Sequence, residues 1–242
     1  MGTLMDRFTE RTRGVLGDGA MERIAQAKVV VVGLGGVGSY AAETVVRAGV
    51  GHVTLVDHDT VDITNLNRQL CALRSTVGRA KADVCRERGL DINPDADIRA
   101  MRVFCDETTL EDILSGDPDC VLDCIDTVGP KVALIEACTK RGIRIFSALG
   151  TGRKLDPTRL CVRDVYETKG DPLARVVRHE LRRRGVEHLT VVCSEEEPTG
   201  ILIPGERKAA PGSVAWVPGC AGLILGSLAV RSIAEGAAPC GR

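Results

Sequence analysis

Within the first 130 positions, two groups of residues have the types and spacing to handle a nucleotide. The first is Gly33-Leu34-Gly35-Gly36-Val37-Gly38, which follows the β-branched run Lys28–Val32 and precedes a helical stretch, Ser39–Ala48. Glycines in that context permit a tight turn and let backbone N–H groups approach a phosphate, which a helix N-terminus also attracts. Asp57 ends the next apolar run, His52–Val56, where a carboxylate can bind ribose hydroxyls. Dehydrogenases, flavoproteins and methyltransferases all use such loops, and a glycine turn that binds nothing is the plain alternative.

The second group separates these options. Asp57-His58-Asp59-Thr60-Val61-Asp62-Ile63-Thr64-Asn65-Leu66-Asn67-Arg68-Gln69 gathers carboxylates, amides and an arginine in one loop. A dehydrogenase needs only the ribose carboxylate there. A triphosphate needs cations and amides that hold its phosphates and neutralise the departing pyrophosphate. Arg68 and Lys81 are the cations suited to that task, with Asn65 and Gln69 fixing geometry. Taken singly, each reads as a solvated loop residue; the combination does not. Asp126 follows the buried run Val121–Ile125, at the edge where doubly wound sheets bind ligands. A carboxylate there can hold Mg2+ between phosphate oxygens, or else cap the helix that begins near Lys131. Asp123 alternates to the other face and is the weaker candidate.

A sheet must carry these residues. Strands are expected at Lys28–Val32, His52–Val56, Ile98–Phe104, Cys120–Ile125 and Arg144–Ala148. Helices are expected between them at Ser39–Ala48, Thr76–Leu90 and Lys131–Arg141, with a short one at Met21–Ala27. This alternation predicts an α/β fold: a doubly wound, Rossmann-like, mostly parallel sheet with right-handed crossovers. Beyond Gly150 the runs shorten to Leu160–Val165, Leu189–Cys193 and an arginine-rich helix. The expected organisation is one ATP-binding domain over residues 1–242. Residues 1–150 would bind the nucleotide, and 151–242 would extend the sheet and carry the substrate surface.

Composition agrees. Apolar residues are 44% of the 242 and aromatics only 2%, so the core must be Val, Leu, Ile and Ala, as under a parallel sheet. Net charge is −1, so any nucleic-acid site must be a local patch. Ten cysteines without a short framework read as reduced cytosolic thiols, and the charged N-terminus lacks the apolar core of a signal peptide; the expected location is the cytoplasm. Residues 209–230 carry no charge, but Pro211, Pro218 and several glycines interrupt them, so the last part, Gly222–Ile233, is expected to be a buried helix and not a membrane span.

Together these residues resemble the ubiquitin-activating-type superfamily of adenylating enzymes, which includes the activators of thiamine and molybdopterin synthesis. The likeness covers roughly Arg7 to Gly150. It rests on Gly-x-Gly-Gly-x-Gly, then Asp57-x-Asp59-x-Val61 with Asn65-x-x-Arg68-Gln69, then Val77-Gly78-x-x-Lys81 and Asp123-x-x-Asp126. The resemblance implies ATP and Mg2+, with Asp57 on the ribose, Asn65, Arg68 and Lys81 on phosphates, and Asp126 on Mg2+. The implied nucleotide set is Gly33, Gly35, Gly36, Gly38, Asp57, Asp59, Asn65, Arg68, Gln69, Lys81, Asp126 and Thr127. It also implies a homodimer in which an N-terminal arginine reaches the partner's site. Arg11 is the expected one, with Arg7 and Arg13 open and a flexible charged tail as the alternative.

Two features set the chain apart within that superfamily. It has no Cys-x-x-Cys pair, so no zinc is expected, and Cys120 and Cys124 read as core residues on one strand face. The C-terminal part carries Leu149-Gly150-Thr151-Gly152, Asp156-Pro157-Thr158, Asp171-Pro172-Leu173-Ala174, Val192-Cys193-Ser194-x-Glu196 and the run from Gly212 to Ile224. These resemble the tRNA threonylcarbamoyladenosine dehydratase branch. That likeness implies ATP-driven activation of a threonyl carboxylate on a modified adenosine, then attack within the same molecule that closes a ring with net loss of water. Such a reaction needs no transfer cysteine. A monovalent cation and a sulfur-relay partner are further implications. Activation of the C-terminal glycine of a small sulfur-carrier protein is the second enzyme reading, and a nucleotide-binding redox or sensor protein is a third.

The helix from Pro172 offers separate support for tRNA. Asp171 can cap it; Leu173, Val176, Val177 and Leu181 make an apolar stripe, while Arg175, Arg178 and Arg182 fall elsewhere. With Lys169 and Arg183 they could grip tRNA phosphates, a solvated helix face being the alternative. Tyr166 and Trp216 are expected in core or interface packing, with stacking on bases as the alternative. Cys220, read in a turn before the last helix, is expected to be structural, with a substrate-side or redox role open.

Overall fold

The computed structural model describes residues 7–199 and 212–236; residues 209–211 of the uncharged run lie outside that range. Helices α1 (Glu10–Leu16) and α2 (Asp18–Gln26) come first, so most of the expected charged arm is helical. Then follow β1 (Lys28–Val32), α3 (Gly38–Arg47), β2 (His52–Val56), α4 (Lys81–Ile92), β3 (Asp97–Met101) and the single turn α5 (Leu110–Ile113). The second half adds β4 (Cys120–Asp123), α6 (Val128–Arg141), β5 (Arg144–Ala148), β6 (Leu160–Asp164), α7 (Pro172–Arg183), β7 (Thr190–Ser194) and α8 (Trp216–Ala234).

The seven strands lie in the order β3-β2-β1-β4-β5-β7-β6, and every pair is parallel except β6 with β7. This is the doubly wound α/β sheet with a C-terminal extension. The chain winds outward from β1 to β3, then returns to β4 on the other side of β1. Connections leaving β1 and β4 therefore diverge at their C-terminal ends and open a crevice there.

The valines of β1 show why continuous β-branched runs were needed. Val29 and Val31 pack with α2, α3 and α8, while Val30 and Val32 pack with α6 and α7 on the other face. Both faces must be apolar, as in any covered parallel sheet.

Helix α8 has 19 residues and a mean hydropathy of 1.5, long and apolar enough by that measure to cross a membrane. Its composition has a local cause: 61% of its apolar window is buried inside the fold, mainly against α3. A Cβ on Gly222 would lie 2.2 Å from the Val37 carbonyl oxygen, and one on Gly226 would lie 2.6 Å from Thr44 Cβ. The helix starts earlier than expected. Pro218 falls in its first turn, where a missing N–H costs little, and Cys220 sits inside the helix and not in a turn before it. The helix expected from Thr76 begins only at Lys81, because Gly78 takes φ 85° and Thr60 bridges Ala80 as a short antiparallel pair.

Candidate active site

The glycine loop springs from the middle of the sheet. Gly33 N–H donates to the Val56 carbonyl at 2.8 Å and Cys124 N–H to the Val32 carbonyl at 2.9 Å, so the ladder runs on past β1 before the chain turns. Gly33 has φ 88°, and a Cβ there would come 2.9 Å from the Cys124 carbonyl oxygen. At Gly38, the first residue of α3, a Cβ would fall 1.7 Å from the Gly33 carbonyl oxygen. No side chain fits either position.

Asp57 is buried beneath this loop. Its Oδ2 accepts from Leu34 N–H at 2.6 Å and its Oδ1 from Asp59 N–H at 2.8 Å. The carboxylate therefore fixes both loops, and each oxygen keeps a lone pair for a ribose hydroxyl. Asp59 Oδ2 holds Lys81 Nζ at 2.8 Å, and Lys81 is only 5% exposed, so its ammonium is aimed in advance. Asn65 is buried and accepts from Asp62 N–H at 3.1 Å through Oδ1. Arg68 donates to the Thr64 carbonyl at 3.0 Å and to Asn67 Oδ1 at 2.9 Å. Gln69 and Arg68 lie against the glycine loop: a Cβ on Gly35 would be 3.8 Å from Gln69 Nε2, and one on Gly36 would be 3.4 Å from Arg68 Cγ. The second loop is thus folded onto the first. Asp57, His58 and Asp59 also offer three donor atoms within 4.8 Å of one another. With Lys81 already held there, that trio does not make a cation cage.

Asp126 is exposed in the turn between β4 and α6, and its Oδ1 accepts from Thr127 Oγ1 at 3.2 Å. Thr127 occupies the cap position of α6 with no side-chain cap bond, so Asp126 is not spent on capping. Cys124 of the same turn touches Gly33 and Gly38, which brings the turn against the glycine loop. Asp123 was the weaker candidate for a different reason than strand alternation alone. It is fully buried and paired with Lys131, Nζ to Oδ2 2.6 Å. From the sequence, Lys131 is expected only as the start of a helix. The signal that could have found it is a lysine one turn before Ile135 and seven residues before Cys138, on the helix's apolar face.

The remaining predicted residues are more dispersed. Arg7 and Arg11 are exposed, while Arg13 is paired with Asp18 at 2.8 Å. Asp171 caps α7 by accepting from Leu173 N–H at 2.7 Å and Ala174 N–H at 3.2 Å. Along that helix, Arg178 donates to the Thr168 carbonyl at 2.8 Å and also bonds Thr168 Oγ1. Arg182 lies over the Tyr166 ring, 4.9 Å from its centre, and Arg183 pairs with Glu180 at 3.3 Å. Lys169 and Arg175 are exposed, without a side-chain hydrogen bond or ion pair among the described residues. Trp216 donates to the Leu155 carbonyl at 2.7 Å and is 52% exposed. Burial pushes the Cys120 thiol up to about 12 and the Cys124 thiol higher still.

Comparison with known proteins gives a consistent result. The sequence model of the ThiF family matches residues 9–233. The chain is 40% identical over 236 residues to the tRNA threonylcarbamoyladenosine dehydratase of Bacillus subtilis (strain 168), covering 92% of this chain and 93% of that protein. It is 42% identical over 182 residues to the Escherichia coli (strain K12) protein of that name, covering 74% and 68%. The E. coli structure in complex with ATP superposes with a TM-score of 0.88 at 34% identity, over 98% of this chain and 97% of that one. By contrast, the E. coli molybdopterin-synthase adenylyltransferase is 37% identical over 135 residues, only 56% of this chain and 53% of its own length.

Proposed function

The chain belongs to the ThiF family, and on that premise we propose that it is an ATP-dependent tRNA threonylcarbamoyladenosine dehydratase. The threonyl carboxylate of the modified adenosine attacks the α-phosphorus of ATP, and pyrophosphate leaves. The resulting mixed anhydride is then attacked from within the same nucleoside; the ring closes and AMP departs with the carboxylate oxygen. Net, one water is lost from the substrate.

The chain's own residues divide this work. The glycine loop and Asp57 hold the nucleoside, and Asn65, Arg68, Gln69 and Lys81 hold the phosphates and neutralise the charge that grows on pyrophosphate. Asp126 with Thr127 fits Mg2+, because Asp126 is an exposed carboxylate, the hard oxygen donor such an ion shares with phosphate, in the turn whose Cys124 borders the glycine loop. Bound there, the ion would supply charge neutralisation between phosphate oxygens. A monovalent cation would need oxygen donors, and Asp171 Oδ2 is a buried carboxylate oxygen without a hydrogen-bond partner among the described residues.

The observation that carries the reading is the packing of three segments at one sheet edge: the glycine loop, the Arg68–Gln69 loop and the turn before Asp126. The extent of the match favours this activity over activation of a sulfur carrier: the Bacillus subtilis dehydratase matches 92% of this chain, the E. coli molybdopterin-synthase adenylyltransferase 56%. The proposal extends to residues 1–242 acting as one ATP-binding domain in a cytoplasmic homodimer. In it, exposed Arg11, or Arg7, reaches the neighbouring site, and Lys169, Arg175, Arg182 and Arg183 face tRNA phosphates. A sulfur-relay protein is a further partner of the proposal.

The test is release of pyrophosphate and AMP on addition of tRNA bearing threonylcarbamoyladenosine, with nucleoside mass analysis of the product. Loss of 18 mass units, about one water, in step with AMP release is expected. Release that instead follows a carrier protein ending in glycine would move the assignment to the second reading. No release with either substrate would end both.

A further inference from the structure

One buried charge pair has no part in the chemistry above. Lys131 and Asp123 are both 0% exposed. All three ammonium protons of Lys131 are placed: on Asp123 Oδ2 at 2.6 Å, on Ser147 Oγ at 3.0 Å and on the Ala148 carbonyl at 2.9 Å. Asp123 is equally occupied. Its Oδ2 also accepts from Ser147 Oγ at 2.6 Å, and its Oδ1 accepts from Ile125 N–H at 3.0 Å. The network joins four segments: the end of β4, the end of β5, the first turn of α6, and the turn between β4 and α6.

Stability alone is a poor reason for such a network. Desolvating two charges is costly, and well-packed apolar groups of the same volume often serve as well or better. What apolar groups cannot supply is direction. Ile125, fixed by Asp123, directly precedes Asp126. Ala148, fixed by Lys131, directly precedes the Leu149–Gly150 segment that leads into the C-terminal part. The same turn touches the glycine loop through Cys124, whose carbonyl oxygen lies 2.9 Å from where a Cβ on Gly33 would be.

We propose that Lys131 is a positioning residue which, through Asp123 and Ser147, fixes the Asp126 turn relative to the end of β5, and so sets where Asp126 meets phosphate. This rests on the reading of Asp126 given above. The ammonium does not touch substrate; it acts through the turn.

The test compares wild type with Asp123→Leu/Lys131→Met, which removes both charges together, with Ser147→Ala, and with Asp126→Ala. The double variant should melt near the wild-type temperature by calorimetry. Its kcat for tRNA-dependent pyrophosphate release should fall about 100-fold, the cost of an ångström-scale misplacement, with the KM for ATP little changed. The Mg2+ concentration needed for half-maximal binding of a fluorescent ATP analogue should rise about 10-fold, a readout independent of turnover. Ser147→Ala keeps the ion pair and should raise it by about 3-fold, which serves if the double variant does not fold. A stable double variant, or failing that Ser147→Ala, with unchanged Mg2+ requirement would reduce the network to packing. Wild-type turnover in Asp126→Ala would instead remove the metal reading itself, whatever the network variants do.

Discussion

Lys81 combines two properties that seldom meet: it is nearly buried, and in the proposed reaction it is a cation for the phosphates. Asp59 holds its ammonium at 2.8 Å, so little reorganisation is needed when a triphosphate arrives. Lys81→Met should therefore lower kcat for AMP formation by about 10²–10³-fold, the usual effect of deleting one preorganised stabilising group. Asp59→Asn should cost about 10-fold, because the lysine stays but loses its aim. Steady-state kinetics with a parallel melting curve checks both, and a wild-type rate for Lys81→Met would take this residue out of the phosphate site. Lys81, Arg68 and Asp126 were singled out from residue type and spacing, since phosphate chemistry needs cations and a hard oxygen donor in one place. Lys131 was not, because a lysine at a helix start ordinarily reaches solvent, and its partners Asp123 and Ser147 meet it only across the sheet. The bond from Arg178 to Thr168 was hidden for the same reason: Thr168 lies in the turn before the helix, where no periodic pattern announces it.

Among elements, the contacts of α3 decide how firmly the glycine loop is seated. On one side Glu43 clamps α4, accepting from Arg88 Nε at 2.8 Å and from a second Arg88 nitrogen at 2.9 Å, besides bonding Arg47 on its own helix. Burial pushes the Glu43 carboxyl up, but the bonds from Arg88 and Arg47 together outweigh it and hold it below its ordinary value. A carboxyl depressed on folding adds stability that is present above its unfolded value, about 4.3, and is lost as pH falls through the folded value. The wild-type melting temperature should thus fall more steeply than that of Glu43→Gln below about pH 4.5. Parallel pH–melting curves for the two would refute the clamp. On the other side, Gly222→Ala would drive a Cβ to 2.2 Å from the Val37 carbonyl oxygen, in the glycine loop itself. A cost of about 1–3 kcal/mol is expected, with weaker ATP binding, readable by calorimetry in the presence and absence of ATP. Much of this level was readable in advance. β1, β2 and β5 fall where their β-branched and apolar runs end, since a strand covered on both faces leaves no ambiguity of period. The start of α4 was hidden by the Thr60–Ala80 bridge, a long-range event without a local sign. The antiparallel β6 was equally hidden, because strand direction depends on the path of the connection and not on the strand's own residues.

For the whole molecule, a net charge of −1 gives no long-range pull toward a polyanion, so tRNA affinity must come from a few local cations. The described structure sorts those on α7 and the turn before it. Arg178 is committed to Thr168, whereas Lys169 and Arg175 are exposed and Arg183 has only an exposed partner contact with Glu180 at 3.3 Å. Each cation that reaches a phosphate releases counterions and steepens the fall of log affinity against log salt by about 1. Lys169→Ala/Arg175→Ala/Arg183→Ala should therefore weaken tRNA binding at low salt and flatten that slope by about 2–3, while ATP binding is retained. Arg178→Ala should behave differently, lowering the melting temperature and leaving the slope near wild type, because its guanidinium ties the helix to Thr168 and is not offered outward. Filter binding over a series of salt concentrations separates the two. An unaltered slope in the triple variant would mean that this face of α7 is merely solvated and that tRNA is gripped elsewhere.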